Sequence, residues 1–170
     1  HGHSTLLMAQ AFPHSRFFGF DAHAPSTDAA RDHAAAGGLA DRVAFSTARA
    51  VDYPGQGYGL ICFFDTLHDL GDPEAAARHA AEVLAPDGTV LLVEPFANDR
   101  VADNLSPVGQ LYYAASSMIC CAHAISEGGK LVLGAQAGPR RLADVFRKAG
   151  FSHFRCAAET PFNLIFEIRR

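Results

Sequence analysis

Three short stretches hold the residues that could do chemistry: "FFGFDA" at 17–22, "FFDTLHDLGDP" at 63–73 and "LLVEPF" at 91–96. Asp21 closes an apolar run, and a carboxylate there can accept hydrogen bonds from the two adjacent hydroxyls of a ribose. It stands 19 residues after Gly2, close to the roughly 20 that separate a glycine turn from its ribose acid. The plainer role for such an acid is a helix N-cap. His68 and Glu94 follow two further apolar runs. A histidine can take the proton of an attacking hydroxyl while an acid steadies its ring, and Asp69 and Glu94 are the acids at hand. The plainer role for this histidine is to pack and cap its own turn.

Other chemistries find little footing. The chain has 170 residues, 49% of them hydrophobic and 19% charged, with a net charge of −4. It contains no run of five basic residues, so there is no electrostatic case for nucleic acid or an anionic membrane. Cys62, Cys120, Cys121 and Cys156 form no C-x-x-C pair, which fits reduced thiols and a cytoplasmic location. The histidines show neither H-x-x-x-H nor H-x-x-E-H spacing, so no metal is expected. No apolar run reaches the length of a membrane span.

The elements that must position these groups are legible from periodicity. A helix is predicted over 4–12, stopped by Pro13, and another over 24–37, stopped by Gly37 and Gly38. A third helix starts with Asp72 as N-cap and Pro73 in its first turn. A fourth covers about 139–149 before Gly150. Strands are predicted near 16–21, 42–47, 58–64, 88–94, 152–158 and 162–168, with the runs at 57–64 and 89–96 read as buried on both faces. This alternation implies an α/β fold with one mostly parallel sheet and an antiparallel C-terminal strand. Residues 97–137 interrupt the rhythm with a helix near 104–124. So long an insertion reads as a lid or substrate wall, and Tyr112, Tyr113 and Met118 would line it.

In this order the motifs resemble class I S-adenosylmethionine-dependent methyltransferases, whose sheet is Rossmann-like. "HG" at the start is similar to the tail of that family's glycine motif and "FFGFDA" to its second motif. "DRVAFSTARAVDYPG", "YGLICFFDTLHDLGDP" and "VLAPDGTVLLVEP" are similar to the next three. The resemblance implies S-adenosyl-L-methionine as cofactor, held by Gly2, Asp21, Ala22, Arg49, Ala50, Phe64 and Asp65. "LHDLGDPEAAARHAAEVL" is similar to the segment of plant-type O-methyltransferases that carries their general base. That likeness implies His68 as base, with Asp69 and Glu94 orienting it. Three positions depart from the pattern: Arg49 stands in place of the adenine-binding Asp, Gly59 in place of an Asp, and Asp87 in place of a Gly.

The first strand of the family's 3-2-1-4-5-7-6 sheet has no counterpart here. The expectation is therefore a single methyltransferase domain over 1–170, truncated before that strand, with a gap between the strands at 16–21 and 58–64. "YYAASSMIC" and "LGAQAG" add a likeness to bacterial proteins that join a winged-helix domain to a methyltransferase domain. In such proteins a homodimer would form through the N-terminal region. The function implied is methyl transfer to a small molecule, at oxygen. The alternatives are a non-catalytic S-adenosylmethionine-binding regulatory module and a Rossmann-type oxidoreductase, for which Asp21 would serve equally well.

Overall fold

The computed structural model describes residues 1–170 as two compact units, His1–Pro54 and Gly55–Arg170. The first contains helix α1 (His3–Ala11), strand β1 (Phe17–Asp21), helix α2 (Ala24–Ala36) and strand β2 (Val43–Thr47). β1 and β2 pair in parallel, with Phe17 opposite Val43 and Asp21 opposite Thr47. A parallel pair needs a crossover, which α2 supplies. Ala30 and Ala34 of α2, Ala9 of α1, and Leu39, Val43 and Phe45 form the core, with Leu6 and Phe17 packed against it. Small alanines let the helix backbones approach the strands closely. The hydroxyls of Thr27 and Thr47 meet at 2.8 Å and tie α2 to the end of β2.

The second unit holds β3 (Tyr58–Phe64), α3 (Pro73–Val83), β4 (Leu84–Pro95), α4 (Pro107–Ala115), α5 (Cys121–Ser126), α6 (Gly138–Lys148), β5 (His153–Glu159) and β6 (Asn163–Arg169). Its sheet has the order β3-β4-β6-β5. β3 and β4 are parallel, while β6 runs antiparallel to both of its neighbours. Asp72 caps α3 by accepting from the Ala75 amide at 2.9 Å, as its place before Pro73 requires. Ala76, Ala77, Ala80 and Val83 form the buried face of α3. Leu142, Ala143, Val145 and Phe146 do the same for α6, and the two helices pack on each other. Phe146, Phe151, Phe154 and Phe166 form a chain of ring contacts beneath α6, the closest pair at 4.7 Å.

The strands form two sheets, β1-β2 and β3-β4-β6-β5, with no pairing of β1 with β3, as the expected gap requires. Two further expectations are corrected. β3 is the edge strand of its sheet, and Ile61 and Phe63 are buried while Leu60 and Phe64 are exposed. A continuous apolar run thus marks only one covered face here. The strand expected from 88 begins at Leu84, and the "PDG" at 86–88 falls within β4 at a register shift against β3, where Tyr58 faces Leu84 and Leu60 faces Thr89. Its Gly88 is needed because a Cβ there would sit 2.7 Å from the Leu84 side chain and 2.8 Å from the Tyr58 carbonyl oxygen.

Candidate active site

β4 ends in the acid that organises the second unit's site. Glu94 points inward and is 2% exposed. Its Oε1 accepts from the Leu67 amide at 3.1 Å, and its Oε2 meets His68 Nδ1 at 2.7 Å. His68 belongs to a single 3-10 turn, Leu67–Asp69, just past β3, and is 4% exposed. With Glu94 ionised, Nδ1–H donates to it and the Nε2 lone pair faces outward from the pair. Nε2 lies 3.3 Å from Asp69 Oδ1. The adjacent strands β3 and β4 therefore bring His68, Asp69 and Glu94 together.

Burial pushes the Glu94 carboxyl above the usual range, against the pull of its hydrogen bond to His68. For His68, burial disfavours the imidazolium. The Glu94 hydrogen bond and the charges of Glu94, Asp69 and Asp65 outweigh burial, so its pKa lies above the ordinary value. Asp65 also titrates above its usual range, chiefly through burial. It has a left-handed backbone, φ 46°, unusual for a residue with a side chain. Its amide donates to the Val93 carbonyl at 2.8 Å, and its carboxylate accepts from Asn163 Nδ2 at 3.1 Å. Phe64, before it, is exposed at the strand end.

Residues 97–137 pack on this same carboxyl-end side of β3 and β4. The Tyr112 hydroxyl donates to the Phe162 carbonyl at 2.9 Å, and the Gly134 amide donates to the His68 carbonyl at 3.2 Å. α4 passes through a π turn, Ser116–Cys120, into α5. Ser116 Oγ accepts from the Ala135 amide at 3.0 Å and pins the return of the segment. Cys120 Sγ, a carboxylate oxygen of Asp69 and a ring nitrogen of His68 fall within 4.8 Å of one another. Tyr113 is half-buried and Met118 is 79% exposed.

The remaining predicted residues belong to the first unit. Gly2, φ 78°, is the N-cap of α1, and a Cβ there would meet the Phe45 ring at 2.6 Å. Asp21 is exposed at the end of β1, with Ala22 exposed beside it. Asp21 Oδ1 accepts from the His23 amide at 2.8 Å. Arg49 donates from both Nε and Nη2 to Asp52 Oδ2, and a guanidinium offers no acceptor. Ala50 follows it and is half-buried.

Sequence reasoning missed Cys120 and Asn163. Cys120 reads as a small apolar filler, and it closes the π turn with its sulfur near Asp69 and His68. Asn163 opens β6 with no motif around it.

A family model described as "Methyltransferase domain" matches residues 1–154. The chain belongs to that methyltransferase family. Among solved structures it is similar to "PigF with SAH", with a TM-score of 0.78 and 20% identity, covering 99% of this chain and 48% of the other. It is also similar to an O-methyltransferase family 2 protein from Planctomyces limnophilus in complex with apigenin, with a TM-score of 0.76, 17% identity, and 99% and 46% coverage. A third likeness is to the [4+2]-cyclase SpnF, with a TM-score of 0.65, 22% identity, and 91% and 50% coverage. The chain spans about half the length of these proteins. At such identities the likeness establishes the fold, which is the Rossmann-like methyltransferase fold.

Proposed function

We propose that this chain transfers a methyl group from S-adenosyl-L-methionine to a hydroxyl of a small apolar or aromatic molecule, with His68 as general base. The observation that carries the reading is the buried 2.7 Å hydrogen bond between His68 Nδ1 and Glu94. It fixes the ring and its tautomer, so that Nε2 is the atom left to take a proton. Family membership favours methyl transfer over hydride transfer, although Asp21 alone would suit either cofactor.

The first unit's residues fit the nucleoside part of the cofactor. Asp21 Oδ2 can accept from ribose hydroxyls, Gly2 keeps the turn before α1 clear of side chains, and the Ala22 and Ala50 backbones can serve the base. Bound S-adenosylmethionine supplies a methyl group already made electrophilic by sulfonium. The protein's remaining tasks are alignment and removal of the hydroxyl proton. Phe64 closes β3 and Asp65 follows it, and the Asp65 charge acts on His68. Tyr112, Tyr113 and the exposed Met118 supply the apolar wall against which an aromatic acceptor packs.

A second reading, a module that binds the cofactor without turnover, is favoured by the near-complete burial of His68 and by the Arg49–Asp52 pair. One experiment separates the two. Phenolic acceptors are screened with S-adenosylmethionine by mass spectrometry, and the best acceptor is then assayed with His68→Ala. Loss of about 10²–10⁴-fold in kcat, the usual contribution of a positioned base, with cofactor affinity retained, supports the catalytic reading. A variant that keeps its rate but melts earlier makes His68 a packing residue.

A further inference from the structure

We propose that His68, Asp69 and Cys120 form a site for a zinc-like divalent cation, and that the cation silences the general base by occupying His68 Nε2. The silencing rests on the general-base reading above, whereas the binding does not.

Two acceptors confront each other in this corner. Glu94 holds the Nδ1 proton, so the Nε2 lone pair points at Asp69 Oδ1, 3.3 Å away. That oxygen is buried with no hydrogen bond of good geometry, while the Cys120 thiol beside it donates toward the Asp69 carboxylate and has its pKa pushed up to about 11, by burial first and by Asp69 second. A lone pair and a carboxylate oxygen at this distance repel unless something positive lies with them. A proton on Nε2 meets this need. A metal ion meets it equally well, and a third donor stands ready in Cys120 Sγ, with all three donor atoms within 4.8 Å of one another.

The donor set and its surroundings select the ion. Imidazole, carboxylate and thiolate together suit zinc and similar borderline cations rather than magnesium or calcium. Zinc bonds of about 2.0–2.3 Å place tetrahedral donors roughly 3.3–3.8 Å apart. The His68–Asp69 separation already matches, and Cys120 needs a shift within side-chain reach. Three protein ligands leave the fourth position to water. Glu94 acts on Nδ1 as the outer carboxylate that commonly orients a metal-bound histidine. The charges acting on His68 come from Glu94, Asp69 and Asp65, all negative, so the corner attracts a cation. On coordination the Cys120 S–H bond is replaced by S–Zn, and the proton goes to solvent.

The test titrates the 170-residue chain with cobalt(II), whose absorption reports sulfur ligation without any turnover. One equivalent should bind with a near-ultraviolet sulfur-to-cobalt charge-transfer band. Cys120→Ser, which keeps the side-chain size, should abolish that band, and Asp69→Asn should weaken binding by at least about tenfold. Zinc should raise the melting temperature of the wild type more than that of Cys120→Ser. Absence of saturable binding, or a band that survives in Cys120→Ser, overturns the site. Zinc that binds at Cys120 without slowing methylation overturns the silencing. Failure of the cobalt titration leaves the His68→Ala rate test intact, so the two readings fall separately.

Discussion

Two strands of this molecule, each in a parallel pair, carry an acid at the carboxyl end, and the two acids live in opposite surroundings. Asp21 ends β1 in solvent, with one oxygen on the His23 amide. Glu94 ends β4 at 2% exposure, with both oxygens bound, one by Leu67 and one by His68. Position in the topology is alike, yet the chemistry available differs. An open carboxylate can recognise hydroxyls. A buried one, saturated by its own neighbours, can only position the group it holds. The lesson is that strand-end acids in such sheets should be sorted by burial before a role is assigned.

The sharpest way to break this contrast is Glu94→Ala. It strips the partner from a buried histidine and leaves the Leu67 amide unsatisfied. Loss of one member of a buried pair typically costs about 3–5 kcal/mol, to be read from urea denaturation monitored by circular dichroism. Asp21→Ala should stay within about 0.5 kcal/mol in the same assay, as surface changes do. Equal losses in both variants would erase the distinction.

A smaller effect sharpens the picture on a third acid. Asp72 is held below the usual carboxylate range, first by its hydrogen bond to Lys130, with the Ala75 amide adding to the effect and burial opposing it. Because its folded pKa is depressed, its contribution to stability is present above the unfolded value of about 3.9. That contribution fades as pH falls through the lower folded value. Asp72→Ala should cost about 0.5–2 kcal/mol at pH 7, the usual worth of an N-cap, and the deficit should shrink near pH 2. A deficit that persists unchanged in acid would place the effect in packing rather than in charge. The smallest change expected is Met118→Ser: within about 0.5 kcal/mol in stability, with a raised KM for apolar acceptors.

Much of this was legible in the sequence because the signals were local. Asp72–Pro73 announces its helix, and the apolar face of α6, with Leu142, Val145 and Phe146, follows from spacing alone. His68 and Glu94 could be paired because each closes an apolar run, and runs that are neighbours in a parallel sheet bring their ends together. What escaped depended on distant contacts. Gly88 looks like a turn residue until Leu84 and Tyr58 crowd it inside β4. The one-sided burial of β3 depends on what packs on each of its faces, which no local pattern encodes. Cys120 closes a π turn near His68, and a single extra residue in a helical repeat leaves no trace in the apolar periodicity.

Titration calorimetry of S-adenosylmethionine into the wild type, Asp21→Ala and Glu94→Gln tests the central contrast most directly. Asp21→Ala should weaken binding by about 1.5–3 kcal/mol, the worth of hydrogen bonds to a charged group. Glu94→Gln, which keeps the side-chain shape, should bind the cofactor as the wild type does. Unchanged affinity in Asp21→Ala, or an equal loss in Glu94→Gln, would contradict the assignment of the open acid to the ligand and the buried acid to the histidine.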